Sequence, residues 1–140
     1  MRDEKPRLID EAEMRSSTRK VLIVDQDIQD LSFHAMPFED QGCMVYKCSS
    51  YETALRSVEK EDFDLAVVDQ GSPAFEGRRV IRHLNRYGPR TPFIVLAKRK
   101  DSKCYMQAME LGAVDYLEKP VSTEEMNWVI QNLLGICLKT

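Results

Sequence analysis

The sequence predicts a doubly wound α/β fold in which five parallel strands form one sheet between five helices. Short apolar runs rich in β-branched residues alternate five times with segments of helical periodicity. Strands separated by single helices pair in parallel through right-handed crossovers, which place helices on both faces of the sheet. The length of 140 residues is normal for one domain.

The first strand and helix follow a charged N-terminal segment. The run VLIV (21–24) is wholly apolar, which indicates a strand buried on both faces. The segment 27–42 has helical periodicity and should end at Gly42. Pro37 lies inside this helix and is expected to kink or break it. Its apolar positions are Ile28, Leu31, Phe33 and Ala35.

The other four units repeat this alternation. Ser50 is the expected N-cap of the second helix, and Ser122 or Thr123 that of the last one. A loop rich in Gly and Pro, GSPAFEG (71–77), follows the third strand. The predicted strands are CMVYKCS (43–49), FDLAVVD (63–69), PFIVLA (92–97) and VDYLEKP (114–120). The predicted helices are SYETALRSVEKED (50–62), RRVIRHLNRYG (78–88), SKCYMQAMELG (102–112) and STEEMNWVIQNLLG (122–135).

Composition narrows the classes of function. The net charge of −3 argues against a nucleic-acid binder that works through bulk charge. No apolar run approaches the roughly 18 residues that a membrane span needs, and the charged N-terminus lacks a signal-peptide core, so we expect a cytoplasmic protein.

Residues 1–19 are predicted to be a flexible charged arm and residues 20–140 the folded domain. The four cysteines lack zinc-ligand spacing and are expected to be reduced, buried or half-buried thiols.

Charged side chains follow three of the predicted strands. Asp25 closes the first strand, Asp69 closes the third, and Lys119 follows the fifth. In parallel sheets the carboxyl ends of the strands share one edge, where ligands bind. Carboxylates there suit Mg²⁺, and a lysine suits a phosphoryl oxygen. Together these groups indicate phosphoryl transfer to a carboxylate.

Four motifs in this order resemble the receiver domain of bacterial two-component response regulators, which has a flavodoxin-like topology. The motifs are VLIVDQD (21–27), DLAVVDQGSPAFEG (64–77), TPFIVLA (91–97) and GAVDYLEKP (112–120). The resemblance implies a signalling module, not an enzyme, whose phospho-acceptor is Asp69. A histidine kinase or phosphotransfer protein would supply the phosphoryl group. It also implies a possible homodimer through the face of the fourth helix, fifth strand and fifth helix, and no direct contact with nucleic acid or membrane.

The resemblance assigns further site residues. Lys119 corresponds to the phosphoryl-binding lysine, and its bond to Pro120 to the family's cis peptide bond. Tyr116 corresponds to the aromatic switch residue on the fifth strand. Mg²⁺ would be held by Asp25, Asp69 and the backbone carbonyl of Gly71.

Two positions depart from the family pattern and define a degenerate acidic pocket. Gln26 replaces the second of two adjacent acids, and losing this charge is expected to lower Mg²⁺ affinity by about one to two orders of magnitude. Asp27 compensates for it or caps the first helix, and we favour the cap. Ala97 replaces a Ser or Thr whose hydroxyl group bonds the phosphoryl group, a loss of about 1.5–3 kcal/mol. Without that link, Tyr116 is either a switch residue or a half-buried aromatic with a hydrated hydroxyl group.

Two functional hypotheses follow. In the first, the domain is a receiver in phosphorelay signalling with weak or atypical Mg²⁺-dependent phosphorylation of Asp69. In the alternative, it is a degenerate receiver that binds proteins independently of phosphorylation, with Mg²⁺ weakly bound or absent. A flavodoxin-like binder of small molecules ranks third, since no Gly-rich or hydroxyl-rich phosphate loop follows the first strand.

Overall fold

The five predicted β-α units are present in the computed structural model, which describes residues 18–138. The strands of this part of the chain are β1 (Lys20–Val24), β2 (Met44–Cys48), β3 (Leu65–Asp69), β4 (Phe93–Ala97) and β5 (Asp115–Glu118). The helices are α1 (Ile28–Asp40), α2 (Tyr51–Lys60), α3 (Arg78–Tyr87), α4 (Ser102–Glu110) and α5 (Thr123–Leu133). The predicted alternation is therefore confirmed.

The strands form one parallel sheet in the order β2-β1-β3-β4-β5. The chain leaves β1 for β2 on one side and returns to β3 on the other side. The strand order thus reverses between β1 and β3, and the carboxyl ends of these two strands border the crevice where such sheets bind ligands. Asp25 and Asp69 lie at this switch point.

Each face of the sheet carries its own apolar core. Alternate residues of every strand point to opposite faces, so strands that are apolar throughout supply both cores. Helices α1 and α5 pack on one face, against Val21, Ile23 and Leu65 among others. Helices α2, α3 and α4 pack on the other face, where Ala97 and Tyr116 lie in the core.

The helix ends use the side chains that the sequence indicated. Asp27 caps α1, since its carboxylate accepts from the backbone N–H groups of residues 29 and 30, which confirms the cap. Gly42, at φ +83°, follows the end of α1 in a left-handed turn closed by two backbone hydrogen bonds. Ser50 caps α2, and Ser122 forms a capping box with Glu125 at the start of α5.

The predicted inner face of α1 is partly wrong. Ile28 and Phe33 are 69% and 55% exposed, whereas His34 and Phe38 are buried. Leu31, Ala35 and Phe38 form the apolar stripe, because a spacing of three and four residues keeps side chains on one side of a helix. Phe33 lies two positions from Leu31 and therefore points to solvent.

The helix break expected at Pro37 does not occur, since α1 continues to Asp40. Proline removes the hydrogen bond that its own N–H group would have made and crowds the carbonyl of Phe33 four residues earlier, which a helix can accommodate by bending without ending. The last turn of α1 is held on the sheet by Phe38, whose side chain is fully buried.

Most of the predicted N-terminal arm lies outside the described residues. Of its last two residues, Arg19 already belongs to the fold, because its carbonyl accepts from the N–H of Met44 and its Nε donates to the carbonyl of Leu134. Cys137 is exposed, unlike the buried or half-buried thiol that we predicted, since it follows the end of α5. None of the helices within residues 18–138 has the length and apolarity needed to cross a membrane.

Candidate functional site

The predicted acids and lysine meet at the carboxyl edge of the sheet. The ammonium group of Lys119 lies 2.7 Å from Asp25 Oδ2 and 2.8 Å from Asp69 Oδ1. All three side chains are at most 11% exposed. The peptide bond between Lys119 and Pro120 is cis. A lysine that follows β5 thus bridges the acid that follows β1 and the acid that ends β3.

Asp30 is a third carboxylate in this cluster, and our interpretation of the sequence missed it. Its Oδ2 lies 3.2 Å from Lys119 Nζ, and its side chain is 40% exposed. Asp30 lies in the first turn of α1. The first turn of a helix that follows β1 starts at the same sheet edge, so an acid three residues after the Asp27 cap was the available signal.

Burial and charge act on this cluster in opposite directions. Burial raises the pKa of Asp25, and the charge of Asp69 adds to this, while the hydrogen bond from Lys119 opposes it. Burial alone would lower the pKa of Lys119. The hydrogen bonds and charges of Asp25 and Asp69 outweigh that effect, so the pKa of Lys119 is raised and its ammonium group stays protonated.

Tyr51 is a second contact of Asp69 that the sequence did not indicate. Its hydroxyl group donates toward Asp69 Oδ2 at 3.3 Å and also lies 3.4 Å from the backbone carbonyl of Asp69. Burial, followed by the charge of Asp69, raises the pKa of Tyr51, so the hydroxyl group stays neutral and acts as a donor. Both carboxylate oxygens of Asp69 therefore have a partner, Lys119 on Oδ1 and Tyr51 on Oδ2.

Gly71 lies beside the Tyr51 hydroxyl group. Its φ is +86°, which disfavours other residues, and a Cβ at this position would lie 2.8 Å from Tyr51 Oη. Glycine thus allows the loop after β3 to turn directly behind the carboxylate of Asp69.

The oxygen donors of the predicted metal set match Mg²⁺ in type but are few. Asp25 and Asp69 supply carboxylates at the same edge, and Mg²⁺ prefers such oxygen ligands with several waters. Gln26 is exposed and Asp27 is used as the helix cap. Among the described residues, no group of three His, Cys, Asp or Glu side chains is arranged to hold a metal ion. The donor set fits a Mg²⁺ ion held by two carboxylates, one fewer than the family pattern has.

The two predicted switch positions lie in the core behind the pocket. Ala97 is fully buried. Tyr116 is also buried, and its hydroxyl group donates to the Gln70 Oε1 and accepts from the backbone N–H of Asp101 at 3.1 Å. A half-buried Tyr116 with a hydrated hydroxyl group, one of the two alternatives above, is therefore wrong. Gln70, which directly follows Asp69, is a further residue that the sequence did not single out.

The sheet order and the lysine-bridged acids at its switch point define a class of protein, the receiver domains. A sequence model of the response regulator receiver domain matches residues 21–131. The chain belongs to this family, as the four motifs indicated.

Two curated relatives agree with this assignment. The alkaline phosphatase synthesis transcriptional regulatory protein PhoP of Bacillus subtilis is 30% identical, over 83% of this chain and 48% of its own length. The transcriptional regulatory protein CiaR of Streptococcus pneumoniae is 32% identical, over 82% of this chain and 51% of its own length. The chain thus spans about half the length of these two relatives.

A solved structure confirms the fold. The crystal structure of a CheY-like response regulator receiver domain protein from Methanospirillum hungatei superposes with a TM-score of 0.77. The two chains are 24% identical over 84% of this chain and 94% of the other. The predicted flavodoxin-like topology is therefore confirmed.

Proposed function

We propose that Asp69 is the phospho-acceptor of this receiver domain and takes its phosphoryl group from a histidine kinase or phosphotransfer protein. The observation that carries the proposal is the position of Asp69 at the end of β3, 2.8 Å from Lys119 and at the switch point of the sheet. A carboxylate oxygen attacks phosphorus, the bond from phosphorus to the donor nitrogen breaks, and an acyl phosphate forms on Asp69.

Several residues around Asp69 contribute to the stabilisation of charge during phosphoryl transfer. Lys119 keeps its positive charge and can bind the incoming phosphoryl oxygens. Asp25 keeps Lys119 oriented through its 2.7 Å contact. Asp25, Asp69 and the backbone carbonyl of Gly71 would hold Mg²⁺, which would supply positive charge to neutralise the transferred group.

We propose that the pocket binds Mg²⁺ with low affinity. Lys119 already bonds three carboxylates, and a cation that binds Asp25 and Asp69 must share their charge with it. Gln26 does not restore the missing acid. We therefore infer that phosphorylation is weak at ordinary Mg²⁺ concentrations.

We further propose that the domain is a cytoplasmic signalling module and not an enzyme, and that it can pair with a second copy through the face of α4, β5 and α5. Support for the pairing comes from exposed apolar side chains on this face, Tyr105, Met106 and Trp128.

Acetyl phosphate, a small phosphoryl donor, tests the acceptor. The parent protein, Asp69→Asn and Asp62→Asn are incubated with acetyl phosphate and excess Mg²⁺, and intact mass is measured. Asp62 is an exposed acid before β3 and serves as the matched control. We expect one added phosphoryl group in the parent and Asp62→Asn and none in Asp69→Asn. An unmodified parent would favour the phosphorylation-independent alternative, and a modified Asp69→Asn would show that another residue is the acceptor.

A further inference from the structure

Gln70 is a buried amide directly next to the acceptor. Glutamine is mostly exposed in folded proteins, yet Gln70 is only 2% exposed. Its Oε1 accepts from the Tyr116 hydroxyl group, and its Nε2 donates to the carbonyl of Ser72 at 3.3 Å. Its backbone is held as well, by the carbonyl of Leu96 at 2.7 Å and the N–H of Gly77 at 3.1 Å. The side chain therefore has one defined orientation, toward β5.

Tyr116 carries this connection to the start of α4. Its hydroxyl group donates to Gln70 and accepts from the backbone N–H of Asp101. Asp101 is the N-cap of α4, and its carboxylate accepts from the N–H of Cys104 at 2.9 Å. One hydroxyl group thus joins the loop after β3 to the first turn of α4.

The simplest role of Gln70 and Tyr116 is to give each other's buried polar groups a hydrogen-bond partner, because buried polar groups normally have partners. Two observations indicate more than that. Gln70 is covalently attached to Asp69, so a displacement at the acceptor reaches it through a single peptide unit. Ala97, the position from which the family's hydroxyl group would link acceptor and aromatic, offers only a methyl group in the same core.

We propose that Gln70 is a positioning residue that couples the Asp69 loop to α4 through the Tyr116 hydroxyl group, in place of the hydroxyl group that position 97 lacks. This inference rests on the proposed role of Asp69. When the charge or the covalent state of Asp69 changes, Gln70 shifts, and the Asp101 amide at the start of α4 reports the shift.

The test measures hydrogen exchange and the chemical shift of the Asp101 amide by NMR in the unmodified protein. Asp69→Asn removes the acceptor charge and should change Asp101 exchange by at least about fivefold in the parent background. In the backgrounds Gln70→Met and Tyr116→Phe, which keep most of the side-chain volume, Asp69→Asn should leave Asp101 unchanged. Tyr105→Phe is the matched control, since its ring packs edge-on against Tyr116 at 5.7 Å, and it should keep the parent response.

An equal response of Asp101 to Asp69→Asn in the parent, Gln70→Met and Tyr116→Phe would overturn the proposal, as would no response in the parent. A merely structural role of Gln70 would change stability but would leave the response to Asp69→Asn intact.

A second arm separates this inference from the proposed function. Beryllium trifluoride with Mg²⁺ is added, and bound fluoride is observed directly by ¹⁹F NMR. Bound fluoride that moves the Asp101 amide in the parent but not in Gln70→Met supports the coupling, and equal movement in both overturns it. Failure of the parent to bind fluoride contradicts the proposed phosphorylation, while the Asp69→Asn arm still decides whether Gln70 couples the two sites.

Discussion

Lys119 determines the charge balance of this pocket. Its ammonium group contacts the carboxylates of Asp25, Asp69 and Asp30, so the protein supplies a cation of its own at the acidic edge. The hydrogen bonds and charges of Asp25 and Asp69 raise the pKa of Lys119, so its charge persists at neutral pH. An incoming metal ion or phosphoryl group therefore enters a pocket that is already partly neutralised.

We expect the Tyr51 hydroxyl group to make Asp69, the proposed acceptor, less reactive, and removing that hydroxyl group tests this. We predict that Tyr51→Phe speeds phosphorylation of Asp69 by acetyl phosphate about fivefold, because a hydrogen bond of roughly 1 kcal/mol to Oδ2 lowers the nucleophilicity of the carboxylate. Initial rates at saturating Mg²⁺, measured by intact mass, give the ratio. Tyr46→Phe, on β2, should match the parent. A slower Tyr51→Phe would mean that the hydroxyl group stabilises the transferred phosphoryl group instead.

The sequence predicted the site residues that lie at strand ends, and missed those that reach the site from elsewhere. Asp25, Asp69 and Lys119 were predictable, because carboxyl ends of parallel strands share one edge. Asp30, in the first turn of α1, had a signal in the sequence that our interpretation did not use, whereas Tyr51 begins α2 and its contact depends on how that helix packs on the sheet. Local sequence does not specify that packing.

At the scale of elements, α1 is joined to the loop after β5 by His34. The Nε2 of His34 accepts from the N–H of Val121 at 3.3 Å, so the proton lies on Nδ1, which bonds the carbonyl of Asp30 at 2.9 Å. This neutral ring anchors the segment that follows Lys119 and Pro120. Its burial was unexpected, because periodicity pointed to the apolar Phe33 and not to the polar neighbour one position further along.

Stability should therefore depend on the protonation of His34. Burial, with a further contribution from Lys119, lowers the pKa of His34 in the folded state below the unfolded value of about 6.5. The folded state thus resists protonation, and the stability that the neutral ring contributes is present above pH 6.5 and is lost as the pH falls toward the lowered pKa. Each unit of lowering corresponds to about 1.4 kcal/mol.

Urea unfolding at several pH values compares the parent with His34→Gln, which keeps a hydrogen-bonding side chain. We predict that the free energy of unfolding falls more steeply between pH 7 and pH 5 in the parent than in the variant. Above pH 7.5 the difference between the two proteins should stay constant, which serves as the internal control. Parallel curves over the whole range would show that His34 does not titrate between folded and unfolded states.

At the scale of the whole molecule, the domain combines an ordinary receiver fold with an altered pocket. The alternation of strands and helices was predictable, because apolar runs and helix caps are local signals. Whether the altered pocket still works was not predictable from the fold, since it depends on the balance between Lys119, Mg²⁺ and two carboxylates. That balance separates a weakly phosphorylated receiver from one that signals without phosphorylation.

The most direct test of this account is a Mg²⁺ titration of Asp69 phosphorylation in the parent and in Gln26→Asp, with acetyl phosphate as donor and Asp69→Asn as the blank. Restoring the acid should lower the half-maximal Mg²⁺ concentration by about 10- to 100-fold, because a third carboxylate joins the metal ligands. Both proteins should reach full phosphorylation, and the parent should require the higher Mg²⁺ concentration. The same half-maximal concentration in both, or no phosphorylation of the parent at any Mg²⁺ concentration, would contradict it.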